Sequence, residues 1–174
     1  FNKNDFEHMI FKKFILNNTR KNKLITISQE LKRIYSNQYT LDEDSIKVVP
    51  SATELNNDFY TIPSNFERFK EEFNIGYIGS LEKGKGIEII IPLAKEFPKI
   101  IFHIVGGKQK DIEYWKNKST ELNNLIFHGF INPKDTFKFR NLCDILLAPY
   151  QLSNRLSTFM SPIKIFEYMA SKTS

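Results

Sequence analysis

From Asn74 onward, short runs of β-branched and aromatic residues alternate with longer stretches in which apolar positions recur every three or four residues. That alternation is the pattern of βα units built around a parallel sheet. Strands are expected at Ile75–Gly79, Ile100–Gly106, Leu125–Gly129 and Ile145–Pro149, and helices over residues 86–97, 111–122 and 133–142 and from Pro162 onward. Asn132 followed by Pro133 gives the third helix a cap and a pre-set first residue. Ile87–Ile91, ahead of Pro92, suits a strand as well as a helix when read alone. Gly84 and Gly86 in front of it favour the helix.

The N-terminal third has a different texture. An amphipathic stretch over Phe6–Leu16 leads to an expected strand at Leu24–Ser28, a helix at Gln29–Tyr35 and a second strand at Ile46–Pro50. The segment PSATELNNDFYTIPSN that follows is rich in Asn, Ser, Thr and Pro and reads as an exposed connection between domains. A boundary near residue 63 divides the chain into 1–63 and 64–174.

Composition narrows the class. The 174 residues suffice for one domain and part of another, and 41% hydrophobic residues with sixteen Phe supply a globular core. No apolar run reaches the roughly 20 residues of a membrane helix. The opening FNKNDFEH has neither an initiator Met nor the order of a signal peptide, so it reads as internal to a longer sequence. Cys143 is the single cysteine, which excludes an intrachain disulfide, and no Cys or His cluster has zinc-site spacing. A reducing, cytoplasmic setting fits. The net charge of +5 is scattered over lysines that read mostly as a solvated surface, one able to attract anionic ligands or acidic headgroups. No nucleic-acid motif is present. Asp42-Glu43-Asp44 reads as a solvated turn rather than a metal site.

Two segments carry candidate chemistry. YIGSLEKGKGIE places a loop with three glycines and two lysines between a strand and a helix start. Glycines let backbone N–H groups approach an anion, and Lys85 adds a full positive charge, so a diphosphate is a natural guest. The same segment reads equally as a Gly-rich βα turn with surface lysines. In STFMSPIKIFEYMAS, Ser161 before Pro162 marks a helix start with Lys164 one turn in. Ser161, Lys164 and Glu167 or Tyr168 fall on one face, which looks toward the sheet's carboxyl edge, with Ile165, Phe166 and Met169 free to pack inward. In open parallel sheets ligands bind beyond the carboxyl ends of the strands, and an ionised carboxylate there suits the two hydroxyls of a ribose. The plainer alternative is an amphipathic helix whose Glu167 is solvated or paired with Lys164.

The ordered segments ITISQELK, KVVPSATELNNDF, YIGSLEKGKGIE, FHIVGG, NLIFHGFINPKD, CDILLAPY and SPIKIFEYMA together resemble the retaining glycosyltransferases of family four. The resemblance runs from about Leu24 to the end. It implies an α/β fold with a Rossmann-like parallel sheet and helices on both faces, part of a two-domain GT-B architecture. Residues 1–63 would then be the end of the N-terminal acceptor domain with the interdomain connection, and 64–174 a truncated C-terminal donor domain.

Matched position by position, Lys85 is similar to the family lysine that neutralises the donor diphosphate, with Gly79, Ser80 and Gly86 around it. Ser80 stands where the family often has arginine. Glu167 is similar to the second glutamate of the family's Glu, seven residues, Glu pattern, and so to the ribose ligand; Lys85 and Glu167 are the expected catalytic pair. The first glutamate of that pattern falls on Phe159, whose side chain cannot hydrogen-bond a sugar. His128, Gly129 and Phe130 fall where the family's strand end meets the base, and Ser161, Pro162, Ile163 and Lys164 where its helix start meets the diphosphate. Tyr150 borders that place, Ser51 and Ala52 replace the family's usual Asn-Gly, and His103 reads as structural.

The resemblance implies retaining transfer of a sugar from a nucleoside diphosphate to an acceptor hydroxyl. UDP or GDP is favoured over ADP, no metal or other cofactor is called for, and the acceptor is a glycan or lipid-linked glycan held mainly by the N-terminal domain. It also implies a place in bacterial surface polysaccharide synthesis, in the cytoplasm or peripherally at the inner membrane face, with this piece inactive alone. The rival readings are a nucleotide-sugar epimerase of the same fold and a non-catalytic nucleotide-binding module.

Overall fold

The computed structural model describes residues 9–10, 12–13, 23–54, 72–150 and 159–171. The expected amphipathic stretch at Phe6–Leu16 lies largely outside them, and so does the expected boundary near residue 63. The chain divides into two compact units, Phe1–Ser51 with Arg155–Ser161, and Ala52–Asn154 with Pro162–Ser174.

In the first unit β1 (Leu24–Thr26) pairs in parallel with β2 (Ile46–Val48), with Leu24 opposite Ile46 and Thr26 opposite Val48. Between them runs α1 (Gln29–Tyr39), one turn longer than its apolar pattern suggested. Ser28 caps it, its hydroxyl accepting from Leu31 N at 3.1 Å. The same hydroxyl donates to the Phe159 carbonyl at 2.7 Å. Asp42 accepts from Asp44 N at 3.1 Å and starts a single 3-10 turn, Glu43–Ser45, so the acidic triplet is an exposed turn as expected.

The second unit holds a four-stranded parallel sheet in the order β5-β4-β3-β6: β3 (Asn74–Ile78), β4 (Ile101–Val105), β5 (Leu125–Gly129) and β6 (Ile145–Leu146). The helices α2 (Ile87–Glu96), α3 (Gln109–Lys118), α4 (Pro133–Leu142) and α5 (Ile163–Ala170) complete it. One core joins Ile87, Ile90 and Ala94 of α2 and Ile112 and Trp115 of α3 to Phe102 and Ile104 of the sheet. A second joins Phe139 of α4 and Cys143 to Val105. The two cores involve alternate residues of β4, so helices cover both faces of the sheet.

Burial explains how the ambiguous Ile87–Ile91 run resolves. Ile87, Ile90 and Ala94 are buried while Ile89 is 40% exposed, which is a spacing of three and four rather than two. The helix passes through Pro92 and continues to Glu96. The Asn124 side-chain amide then reaches the carbonyls of Ala94, Phe97 and Ile100, satisfying its C-terminal end. Asn132 accepts from Lys134 N at 3.0 Å with Pro133 first in α4, as the sequence predicted. In this unit α3 sits earlier than expected, and β6 stops at Leu146 after pairing only with Ile75 and Gly76.

Candidate functional site

The strand order places β3 between β4 and β6, so the connections leaving β3 and β5 run to opposite sides. By the general rule for open parallel sheets, the candidate ligand crevice lies at the carboxyl ends of β3 and β6. The Gly79–Gly86 loop forms one wall. Gly86 is the N-cap of α2 with φ 107°, and a β-carbon there would collide with Pro149, whose carbonyl would lie 2.7 Å away. At Gly79 a β-carbon would lie 2.7 Å from Lys164 Nζ and 2.9 Å from the Tyr77 hydroxyl.

Three ties hold the loop. The Tyr77 hydroxyl lies 2.8 Å from the Ser80 carbonyl and 3.1 Å from that of Lys85, facing both as donor. Glu88 reaches back from the first turn of α2 and accepts from Gly84 N at 2.8 Å. Trp115 Nε1 donates to the Leu81 carbonyl at 2.7 Å. The Lys85 side chain is exposed, and the Ser80 hydroxyl accepts from Glu82 N at 3.3 Å.

Helix α5 forms the other side. Lys164 and Tyr168 of its polar face turn toward the sheet as expected, whereas Ile165 and Met169, expected to pack inward, are 39% and 72% exposed. The reason lies in the short β6. Ile78 N has no strand partner on that side, and the buried Tyr168 hydroxyl accepts from it at 3.1 Å. One turn earlier, Lys164 Nζ rests 4.0 Å above the Tyr77 ring and 5.9 Å from that of Tyr150. Burial, and secondly the charge of Lys85, lower its pKa to about 8 against a smaller opposing effect of Glu167.

Ser161 does not cap this helix. Its hydroxyl accepts from Ser51 N at 2.9 Å and its carbonyl from the Ser51 hydroxyl at 2.7 Å, so Pro162 is the N-cap, with no side-chain cap, and the helix begins at Ile163. Glu167 faces the buried Arg140 of α4 at 3.7 Å rather than forming a close pair with Lys164, and it stays 35% exposed. At the far edge, a register shift between Ile104 and Val105 places the end of β5 out of step with β4, so that Val105 pairs with Gly129. Phe130 beyond it is 77% exposed.

His103 is structural, as expected. The Asn74 side-chain amide donates to the Glu72 carbonyl, leaving its oxygen to accept from His103 Nε2 at 2.9 Å. His103 Nδ1 then accepts from His128 Nε2 at 2.9 Å, and burial lowers the His128 pKa. Among the described residues no three His, Cys, Asp or Glu side chains come together as a metal site. A crevice of about 390 Å³ between α2 and α3, lined by Lys83, Glu88 and Tyr114 among others, includes none of Lys85, Lys164 or Glu167.

The fold thus brings Gly79, Ser80, Lys85, Gly86 and Lys164 to one crevice and sets Glu167 one turn further along α5. Tyr77, Glu88, Arg140 and Tyr168 were not singled out as site residues in the sequence. For Tyr77 a signal existed: a tyrosine two residues before a glycine loop has local carbonyls within reach of its hydroxyl. The partners of Arg140 and Tyr168 lie far along the chain.

Residues 58–173 match the family described as "Glycosyl transferases group 1". No curated protein matches the chain. Among solved structures, a variant of S. aureus TarM in complex with UDP superposes with a TM-score of 0.63 at 20% identity, covering 93% of this chain and 31% of that one. HepE of Anabaena in complex with UDP and glucose gives 0.62 at 22% identity, with 93% and 46% covered. A Rickettsia africae glycosyltransferase gives 0.66 at 19%, with 94% and 46% covered. The chain therefore spans between 31% and 46% of the length of these structures. The likeness agrees with the parallel α/β fold seen here, and the matched family covers the four-stranded sheet, the loop with Lys85 and the helix with Lys164; the chain belongs to the group 1 glycosyl transferases.

Proposed function

We propose that this region binds the nucleoside-diphosphate sugar of a retaining glycosyltransferase, at the crevice between the Gly79–Gly86 loop and α5. The observation that carries the reading is the convergence of two lysines there. Lys164 Nζ lies against Gly79 of the loop that carries Lys85, where a β-carbon would come within 2.7 Å of it, and the charge of Lys85 adds to burial in disfavouring that of Lys164, an effect a diphosphate would relieve. As the anomeric carbon–oxygen bond breaks, negative charge grows on the leaving diphosphate, and fixed cations stabilise that charge more than they stabilise the bound donor. The new bond forms to an acceptor hydroxyl on the same face of the sugar, and the hydroxyl proton leaves with the departing phosphate.

Glu167, oriented by Arg140, is the ribose ligand in this reading, and the end of β5 with Gly129 and Phe130 meets the base. The similar structures solved with UDP support a uridine donor. The acceptor is a bacterial surface or lipid-linked glycan met at the inner face of the membrane, a role supported by the likeness to a lipopolysaccharide outer core galactosyltransferase. Among the described residues no helix is long and apolar enough to cross a membrane.

Calorimetric titration of UDP, GDP, ADP and pyrophosphate into the 174-residue chain tests the reading. UDP should bind more tightly than pyrophosphate, and Glu167→Gln should weaken the nucleotides while leaving pyrophosphate binding unchanged. Absence of binding by every nucleotide would overturn it.

A further inference from the structure

We infer that Tyr77 is the positioning residue for both cations of the crevice: its hydroxyl fixes the loop that carries Lys85, and its ring face seats the ammonium of Lys164. The inference rests on the reading that this crevice takes a diphosphate.

The hydroxyl half follows from hydrogen-bond accounting. Ser80 and Lys85 bracket the loop, and one phenolic proton is shared between their carbonyls, 2.8 and 3.1 Å away. Within that span Lys85 N bonds the Glu82 carbonyl at 3.1 Å, so the turn that ends at Lys85 is closed from inside and from beneath. Tyr77 is 1% exposed, and burial raises its pKa, which keeps the phenol a donor across the working pH range.

The ring half follows from what a buried ammonium needs. Lys164 Nζ lies 4.0 Å from the ring centroid, and the nearby carboxylate of Glu167 faces Arg140 instead. A carboxylate seat would neutralise Lys164 and compete with an anionic ligand. An aromatic face attracts a cation while leaving its charge uncancelled. Gly79 keeps the passage between ring and ammonium open, since a β-carbon there would meet both Lys164 Nζ and the Tyr77 hydroxyl. Tyr77 thus places two positive charges without contributing a negative one.

The test compares the chain with its Tyr77→Phe and Tyr77→Leu variants by three measurements: ¹³Cε NMR of labelled lysines, amide hydrogen exchange, and UDP calorimetry. In Tyr77→Phe the Lys164 resonance should keep the upfield shift imposed by the ring, while the Lys85 amide exchanges faster and the UDP Kd rises about tenfold, the size of one lost hydrogen bond. In Tyr77→Leu the Lys164 resonance should also move to the position of an exposed lysine, with a further loss of UDP affinity of roughly threefold to tenfold.

A merely structural role would lower the melting temperature of both variants without separating these effects. An unchanged Lys85 exchange rate and UDP affinity in Tyr77→Phe would overturn the hydroxyl half. A Lys164 resonance without ring shift in the unmodified chain would overturn the ring half, and needs no variant to fold. If the unmodified chain binds no UDP, GDP or ADP, the functional reading fails, and the NMR and exchange measurements still decide whether Tyr77 positions the two lysines.

Discussion

Helices α2 and α5 both begin beside the β3–β6 crevice, both carry a lysine near the start, and their starts are organised in opposite ways. The entrance to α2 is closed by neighbours: Tyr77, Ser80, Gly84, Lys85 and Glu88 satisfy one another within twelve consecutive residues. The start of α5 is decided at a distance. Ser161 is engaged by Ser51, 110 residues away, and Tyr168 docks on Ile78 N, 90 residues away. A local cue such as a capping serine decides the outcome only where no distant partner claims its hydroxyl first.

The comparison predicts that loop and helix fail differently. The largest effect belongs to the loop: Lys85→Ala should reduce sugar transfer roughly 10²–10³-fold in kcat in an active full-length enzyme, the range seen for loss of one transition-state donor. A near-normal rate would move the diphosphate away from this loop.

The helix contributes a pH signature. The Lys164 ammonium is lost as pH rises through about 8, far below the ordinary lysine value of 10.5. UDP affinity should therefore fall above that pH, and Lys164→Met, weaker by about tenfold at pH 7, should show no such fall. Stability moves the other way. Between the two pKa values the unfolded chain holds more protons than the folded one, so Lys164 makes the fold more stable as pH rises there. Calorimetry and melting over the same pH range should give slopes of opposite sign; parallel slopes would remove Lys164 from the site.

Smaller effects separate the two starts further. Glu88→Ala should cost about 1–2 kcal/mol by releasing Gly84 N, a fall of roughly 2–8 °C in Tm. Ser161→Ala should cost about 0.5–1.5 kcal/mol, the worth of an ordinary hydrogen bond. If Ser161 bonds Ser51 and not its own helix, Ser161→Ala and Ser51→Ala will be non-additive in a double-mutant cycle, and additivity would restore the capping role.

The same contrast explains what the sequence revealed. The βα order and most element positions were legible because burial on a sheet or helix imposes its own period. Asn132 with Pro133 worked because that cap's partner is two residues away. Ile87–Ile91 stayed ambiguous until packing chose which isoleucines to bury. On α5 the polar face was read correctly toward the sheet edge, but Ile165 and Met169 were misread as inward because the apolar pattern alone cannot show that the Ile78 N–H calls for a hydroxyl and the Tyr77 ring for a cation. Arg140 beside Glu167 needed the third dimension. The positions of Lys85, Lys164 and the glycines at the crevice were legible through motif order, and their shared support on Tyr77 was not.

The hydrogen bond from Ile78 N to Tyr168 also acts as a ruler. It pins α5 at a fixed tooth, and Lys164 is measured off from that tooth by four residues, just over one helical turn. Lengthening the interval by one residue would swing the ammonium roughly 100° around the helix and off the Tyr77 ring. Sequence on the outer side of α5 is free to drift, while the count between Lys164 and Tyr168 is not.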